Sequence, residues 1–287
     1  MSRYLLSFAL ALLCSLIGTY AVRALALRLH LVAAPRADRW HRRPTALYGG
    51  VGIYLGLLCA YALLRPGSGG GANLLMLCAS GMFVVGLVDD RVHLKPHAKL
   101  ACQIFLSALF TAYGLRLHWL PSDVLDQGLT IFWLVGITNA LNLLDNIDGL
   151  AGGVAAIGAL FLVYLCHAAG QPDHATLCAA LCGAAVGFLV FNFNPASIFM
   201  GDCGSLLLGF LLAGLALVTA QPGGRRNLLA VLLGPVLLLL LPILDTTLVT
   251  ISRKLAGRAV SMGGRDHASH RLVALGLSER TATLTLW

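Results

Sequence analysis

Charge is what this sequence has least of. Only 11% of its 287 residues are Asp, Glu, Lys or Arg, whereas about a quarter of the residues of an ordinary soluble domain are charged. Hydrophobic residues make up 58% of the chain, and its mean hydropathy is +0.84. This composition excludes an ordinary water-soluble globular domain and predicts a polytopic membrane protein.

Two common nucleotide and metal signatures are also missing. The chain has no G-x-x-x-x-G-K-[ST] motif, which excludes a P-loop nucleotide site. Its eight cysteines form no C-x-x-C pair and mostly lie inside apolar runs, so small core residues are the expected role rather than metal ligands. The net charge of +8 does not indicate a nucleic-acid partner, because the basic residues are concentrated in a few segments between apolar runs.

Long apolar runs dominate the chain. A membrane-spanning helix needs about 20 predominantly apolar residues, and nine runs approach this length. They lie at about 4–22, 47–64, 72–88, 99–115, 129–143, 150–168, 174–191, 203–220 and 228–251. We therefore predict an all-α fold: one integral membrane domain over residues 1–287, a bundle of about nine transmembrane helices, with an active site on its cytosolic loops.

The distribution of basic residues predicts the orientation. If the N-terminus is outside, 15 of the 20 Lys and Arg residues fall in cytosolic segments, as the positive-inside rule requires. These segments are 23–46, 89–99, 139–150, 192–204 and 252–287. Arg225 and Arg226 are a local exception.

The stretch NALNLLDNIDGLAGG, residues 139–153, concentrates polar groups at the end of an apolar run. Such groups are costly in a membrane protein and are usually functional. On a continuous helix, Asn139, Asn142 and Asn146 would share one face. We therefore expect this stretch to belong to the active site.

Two more polar clusters fall on the same predicted face. Asp89 and Asp90 follow the third apolar run, and such a pair can bind Mg²⁺ or accept a proton. Lys99, almost three helical turns later, can hold a phosphate. In FMGDCGS, Asp202 precedes the eighth run, where helix-start amides suit a phosphate and the carboxylate suits a metal. An ordinary N-cap would explain Asp202 alone, but not the recurrence of such clusters.

The late loop is basic and carries histidines. Arg265, His267 and His270 can meet a diphosphate, and zinc binding by the two histidines with Asp266 is a weaker alternative. Acidic and basic groups on one face are what phosphoryl transfer requires, since its catalysis consists mainly of positioning and charge neutralisation. A lipid is the obvious acceptor for such a reaction at a membrane face.

The motifs PTALYGG, LVDDRVHLKPHAKL, NALNLLDNIDGLAGG, NFNPASIFMGDCGS and DHASHRL, in this order, resemble those of the polyprenyl-phosphate N-acetylhexosamine-1-phosphate transferases. The resemblance covers about residues 35–280. It implies transfer of a sugar-1-phosphate from a UDP-sugar to polyprenyl (undecaprenyl) phosphate, with release of UMP. This would be the first membrane step of cell-envelope polysaccharide or peptidoglycan synthesis, in a bacterial inner membrane.

The resemblance also implies roles for individual residues. The metal ligands of Mg²⁺, or of Mn²⁺ in its place, would be Asp202 and Asn142. The catalytic carboxylates would be Asp89, Asp90 and Asp145, with Asp89 either deprotonating the lipid phosphate or positioning it. The nucleotide-binding residues would be Asn146, Ile147, Asp148 and Phe199. The phosphates would be bound by Lys99, Arg265, His267 and His270.

Several departures and alternatives remain at this stage. Asn146 stands where many family members have Gly, which implies an altered pocket for the base. The late loop, which the resemblance implies helps to read the sugar, lacks a contiguous histidine cluster, so we expect a simple UDP-N-acetylhexosamine rather than a peptide-bearing donor. The final TATLTLW resembles the start of a further helix, which indicates either a truncated sequence or a naturally short form. A monomer and a homodimer are both open. A polytopic transporter with a cytosolic acidic site is the alternative function, although its polar residues should lie mid-helix.

Overall fold

Helices account for most of the chain in the computed structural model, which describes residues 1–33, 44–64, 70–116, 120, 122–219, 236, 239–257 and 266–287. The helices are α1 Ser2–Arg28, α2 Gly49–Leu64, α3 Gly70–Val92, α4 Pro96–Ala112, α5 Asp123–Leu144, α6 Leu150–Ala168, α7 Pro172–Asn192, α8 Asp202–Thr219, α9 Leu240–Leu255, α10 Ala268–Ala274 and α11 Glu279–Leu286. Two short strands, β1 Val32–Ala33 and β2 Thr45–Ala46, pair antiparallel.

The all-α membrane architecture is confirmed, although the predicted count of nine spans is not. Within the described residues, five helices are long and apolar enough to cross a membrane: α1, α3, α5, α6 and α7. The helices α2 and α8 are apolar but shorter. Of the ninth predicted run, 228–251, the structure describes residue 236 and residues 239–251. The helix in this region begins at Leu240 and continues to Leu255.

Helix α8 is the centre of the bundle. It contacts α2, α3, α5, α6 and α7, and every side chain from residue 203 to residue 217 is buried. Glycines allow this close packing, as is common between membrane helices. A Cβ added at Gly209 would lie 2.8 Å from the Cα of Thr138 in α5, and one added at Gly214 would lie 2.4 Å from the side chain of Leu75 in α3. The packing of α8 in the core of the bundle therefore determines the position of Asp202, its first residue.

The segment PTALYGG docks the chain before α8 onto the start of α2. The backbone N–H of Phe199 donates to the carbonyl of Ala46, and the N–H of Gly49 donates to the carbonyl of Phe199, both at 2.8 Å. A Cβ at Gly50 would lie 2.2 Å from the backbone nitrogen of Gly204. Only glycine permits this approach, which fixes the loop that carries Asp202.

The expected face of three amides is wrong for one of its members. Helix α5 ends at Leu144, so Asn146 lies in the following turn and not on the helix. Asn139 pairs with Gln103 of α4: its Nδ2 donates to Oε1 of Gln103 at 2.6 Å, and Oδ1 accepts from Nε2 at 3.3 Å. Because Gln103 is fully buried, the two amides satisfy each other between helices α4 and α5.

Candidate functional site

Asp202, the first residue of α8, is where the predicted site residues meet. Its Oδ1 accepts a hydrogen bond from Nδ2 of Asn142 at 3.0 Å, and its Oδ2 is paired with the ammonium of Lys99. Asn142 also donates to the hydroxyl of Ser205 at 2.8 Å, one turn further along α8. Helices α4 and α5 thus each bring a polar side chain to the same carboxylate.

Lys99 connects this carboxylate to the acid pair. Its Nζ lies 3.0 Å from Oδ2 of Asp89, whose Oδ1 accepts from the backbone N–H of Leu94 at 2.7 Å. All three of these charged side chains are largely shielded from solvent, with relative exposures of 16% for Lys99, 14% for Asp89 and 28% for Asp202. An ion pair so shielded is stronger than one at a surface.

Asp90 points to the backbone of α8. Its Oδ1 accepts from the N–H of Asp202 at 2.7 Å, and its Oδ2 accepts from the N–H of Cys203 at 3.0 Å. The structure therefore does not support Asp202 as the N-cap of α8. The capping carboxylate is Asp90 of α3. Both oxygens of Asp90 are engaged in this contact, and its catalytic role stays a prediction.

Asp145 directly follows the last residue of α5 and lies close to three other aspartates. Burial and the nearby carboxylates of Asp202, Asp148 and Asp90 raise its pKa to about 7. The cause is physical: each additional negative charge in a low-dielectric surrounding disfavours ionisation. This group can therefore exchange a proton near neutral pH.

Among the predicted nucleotide residues, Asp148 contacts the loop between α7 and α8, and Phe199 belongs to that loop. The Oδ2 of Asp148 accepts from the N–H of Ala196 at 2.8 Å and from Nδ2 of Asn194 at 3.2 Å. Ile147 is buried, and Phe199 is half-buried beside α2. Asp148 thus shapes the loop directly. Its contact with a nucleotide, and those of Ile147 and Phe199, stay predictions.

The late loop is brought to the same end of the bundle. The Nδ1 of His267 lies 2.7 Å from Oδ2 of Asp245, and the hydroxyl of Ser269 donates to Oδ1 of Asn146 at 2.5 Å. His270 is buried, with its ring centroid 5.8 Å from that of His267. Arg265 lies outside the described residues.

The zinc alternative does not fit this geometry. Asp266 is bound by Nε of Arg253 at 3.0 Å, and His267 is bound by Asp245. Across the part of the chain that the structure describes, no group of three or more His, Cys, Asp or Glu side chains could hold a metal ion. The His267, His270 and Asp266 set is therefore not a zinc site in this structure.

Three further polar residues that the sequence places on the cytosolic face have partners at this site. Ser205 bonds to Asn142, Asn192 joins the N–H of Gly149 to the carbonyl of Ile198, and Asp245 holds the late loop. Asp245 had a signal, since it is an acid inside the last apolar run. Asn192 and Ser205 are the first and last residues of the motif NFNPASIFMGDCGS. Their contacts with Gly149 and Asn142 could not be predicted, because those partners lie in other parts of the chain.

The donor set around Asp202 fits magnesium better than a fully protein-bound metal. Mg²⁺ prefers carboxylate and amide oxygens, and it keeps several waters and substrate phosphates among its ligands. Asp202 and Asn142 supply one carboxylate and one amide side by side. The raised pKa of Asp145 shows that negative charge accumulates here, and a divalent cation would relieve this repulsion.

Comparison with known proteins decides the family. The family model described as "Glycosyl transferase family 4" matches residues 72–220, which span the acid pair, the 139–153 stretch and Asp202. The chain belongs to this family. As a family 4 member with several long apolar helices, it is a multi-pass membrane enzyme of a phospho-sugar transferase family.

Relatives cover almost the whole chain. It is 30% identical to a Bacillus subtilis protein named "Probable undecaprenyl-phosphate N-acetylglucosaminyl 1-phosphate transferase", over all of this chain and 82% of the relative. It is 35% identical to the decaprenyl-phosphate N-acetylglucosaminephosphotransferase of Mycolicibacterium smegmatis, over 93% of this chain and 74% of the relative. It is 34% identical to the phospho-N-acetylmuramoyl-pentapeptide-transferase of Geobacillus kaustophilus, over 85% and 79%.

Proposed function

We propose that this chain transfers N-acetylhexosamine-1-phosphate from a UDP-sugar to polyprenyl phosphate and releases UMP. One observation carries the proposal: Asp89, Lys99, Asn142 and Asp202, from four helices, meet at the start of α8. The names of the relatives support the acceptor and the group transferred, because two of them specify a polyprenyl phosphate and N-acetylglucosamine. The transporter alternative has no comparable support.

The transfer makes and breaks one bond to phosphorus. An oxygen of the lipid phosphate attacks the β-phosphorus of the donor, and the bond from that phosphorus to the oxygen bridging the two phosphates breaks. The bridging oxygen leaves with UMP, and the product is a lipid diphosphate sugar. This reaction needs positioning and charge neutralisation more than covalent help from the protein.

Each polar residue at the start of α8 has a role in this scheme. Lys99 holds the phosphates as a point charge, with Asp89 and Asp202 fixing its position. Asp202 and Asn142 would bind Mg²⁺, and when bound the ion would neutralise charge on the donor diphosphate. Asp145, with its pKa raised to about 7, suits the transfer of a proton from a monoanionic lipid phosphate near neutral pH.

The donor nucleotide belongs, in this proposal, between the 146–148 turn and the loop before α8. Asp148 already holds that loop through Ala196, and Asn146 lies beside the late loop through Ser269. Phe199 would offer its ring to the uracil face. The basic residues near this end of the bundle support a site on the cytosolic side of a bacterial inner membrane, with the N-terminus outside, because the positive-inside rule favours this orientation.

A transfer assay tests the proposal. Membranes that contain the protein are incubated with labelled UDP-N-acetylglucosamine or UDP-N-acetylgalactosamine, undecaprenyl phosphate and Mg²⁺, and label is measured in the butanol-soluble lipid together with UMP. Asp202→Asn should abolish transfer, since it replaces a charged ligand by a neutral one. Asp173→Asn, the same change at an exposed ion pair with Arg3 at the opposite end of the bundle, is the matched control. Absence of labelled lipid with both donors would contradict the proposal.

A further inference from the structure

Asp245 is a buried carboxylate with two donors, one for each oxygen. Its Oδ2 lies 2.7 Å from Nδ1 of His267, and its Oδ1 accepts from the backbone N–H of Ala268 at 2.7 Å. Only 2% of Asp245 and 5% of His267 is exposed. A carboxylate presents acceptors on both oxygens, so it can satisfy both N–H groups, whereas a side-chain amide of the same shape has one acceptor oxygen.

The far end of the same segment reaches the 146–148 turn. Two residues after His267, the hydroxyl of Ser269 donates to Oδ1 of Asn146, and Nδ2 of Asn146 donates to the carbonyl of Leu143 at 2.9 Å. Residues 267–270, which we call the histidine segment, are thus held by α9 at one end and by the turn after α5 at the other. The buried ring of His270 packs edge-on against the ring of His267.

Asn146 gains a second role from this contact. Its side chain is engaged by α5 and by the histidine segment, so it connects the turn to the late loop. A glycine at this position would have no side chain to accept from Ser269. With glycine at position 146, the histidine segment would depend more strongly on its attachment to Asp245.

We propose that Asp245 is a positioning residue for the donor sugar-phosphate: it fixes the histidine segment against Asn146, so that this segment forms one wall of the donor site. The inference rests on the function proposed above, which places the donor nucleotide at the 146–148 turn. Asp245 itself touches no substrate in this proposal. It acts through His267 and Ala268, and the buried geometry of those contacts carries the argument.

Charge and position predict opposite effects when Asp245 is made neutral. The donor is an anionic diphosphate, so removing a nearby negative charge would strengthen donor binding if Asp245 acted only through its field. A positioning role predicts weaker donor binding, because Asn has an NH2 donor in place of one of the two oxygens that face these groups. The sign of the change therefore separates the two explanations.

Steady-state kinetics on the purified full chain in detergent test the proposal, with UDP-N-acetylglucosamine and undecaprenyl phosphate varied separately. For Asp245→Asn we expect KM for the donor to rise by about fivefold or more, as for the loss of one buried hydrogen bond, and KM for the acceptor to change by less than about twofold. Ser269→Ala should act in the same direction. In the double variant, the loss of donor-binding free energy should be at least as large as the sum of the two single losses, because both residues hold the same segment.

The same Asp173→Asn variant is the control, since it changes a carboxylate to an amide far from the site. Calorimetric binding of the donor without acceptor gives a second readout, and size-exclusion elution reports folding. If Asp245→Asn does not fold, Ser269→Ala decides by the same criterion. An unchanged or lowered donor KM, or equal changes for donor and acceptor, would overturn the inference. An inactive wild type would instead contradict the proposed function.

Discussion

The carboxylate of Asp90 in α3 caps the first turn of α8 by accepting hydrogen bonds from the backbone N–H groups of Asp202 and Cys203 at 2.7 and 3.0 Å. The acid pair is thus divided, since Asp89 pairs with Lys99 while its neighbour holds the helix that carries Asp202. The adjacent residues Asp89 and Asp90 therefore have different roles, the first as the partner of Lys99 and the second as the cap of α8.

Replacing Asp90 should destabilise the start of α8. Asp90→Ala leaves two shielded N–H groups without an acceptor, at a cost of about 1–3 kcal/mol each. Asp90→Asn keeps one acceptor oxygen and should cost less. Thermal unfolding in detergent, followed by the elution of folded protein, measures both effects. Equal unfolding temperatures for Asp90→Ala and the wild type would show that the cap does not stabilise this helix.

Gly201→Ala should disturb the same contact from the other side. Gly201 has a φ of +76°, and a Cβ there would lie 2.6 Å from Oδ2 of Asp90. The left-handed conformation alone costs a non-glycine residue about 1–2 kcal/mol, and the clash would push Asp90 away from α8. We expect loss of transfer activity and a lower unfolding temperature. Gly128→Ala, in helix α5 with nothing within 4 Å of the added Cβ, is the control and should be neutral or slightly stabilising.

Lys99→Met should remove the cation that separates two carboxylates. Without it Asp89 and Asp202 repel each other, and the substrate phosphates lose a fixed positive charge. A fall in kcat/KM of about 100-fold or more is expected, as for the loss of a preorganised charge at a reacting group. Lys95→Met removes an exposed lysine four residues earlier in the chain and should retain activity. Similar losses for both variants would indicate a general effect of net charge.

The sequence was sufficient to predict which loops meet. In a membrane bundle, a polar group that follows an apolar run can lie only at a helix end, so alternate helix ends share one face. This argument correctly grouped Asp89, Asn142 and Asp202. It needed no knowledge of the packing, because membrane crossing alone decides the face.

The partners of individual side chains could not be predicted in the same way. Asn139 looked like a site residue, yet it pairs with Gln103, which lies 36 residues earlier in the chain. The serine that contacts Asn146 lies 123 residues later. Such pairs depend on how helices rotate against each other, which a residue's type and spacing do not determine. The end of α5 at Leu144 likewise depends on the turn that Asp145 begins.

The raised pKa of Asp145 predicts how stability depends on pH. The pKa of this carboxyl is about 7 in the fold, against 3.8 for the ordinary group, so the folded chain binds a proton that the unfolded chain has lost. Stability therefore falls as pH rises from about 4 to 7 and levels off above the folded pKa. Asp145→Asn keeps the neutral form at every pH and should be more stable than the wild type at pH 8, but not at pH 4.

Unfolding temperatures in detergent between pH 4 and 8, with Mg²⁺ removed by a chelator, measure this difference for Asp145→Asn and the wild type. Asp123→Asn is the control, because that carboxylate lies at the other end of α5 and is 93% exposed. Its pH profile should parallel that of the wild type. If Asp145→Asn also parallels the wild type, the pKa of Asp145 is not raised in the fold, and Asp145 is then too weak a base to take the proton of the lipid phosphate efficiently near neutral pH. If the profiles diverge only above pH 4, the carboxylates at the start of α8 repel each other, and a bound cation would reduce this repulsion.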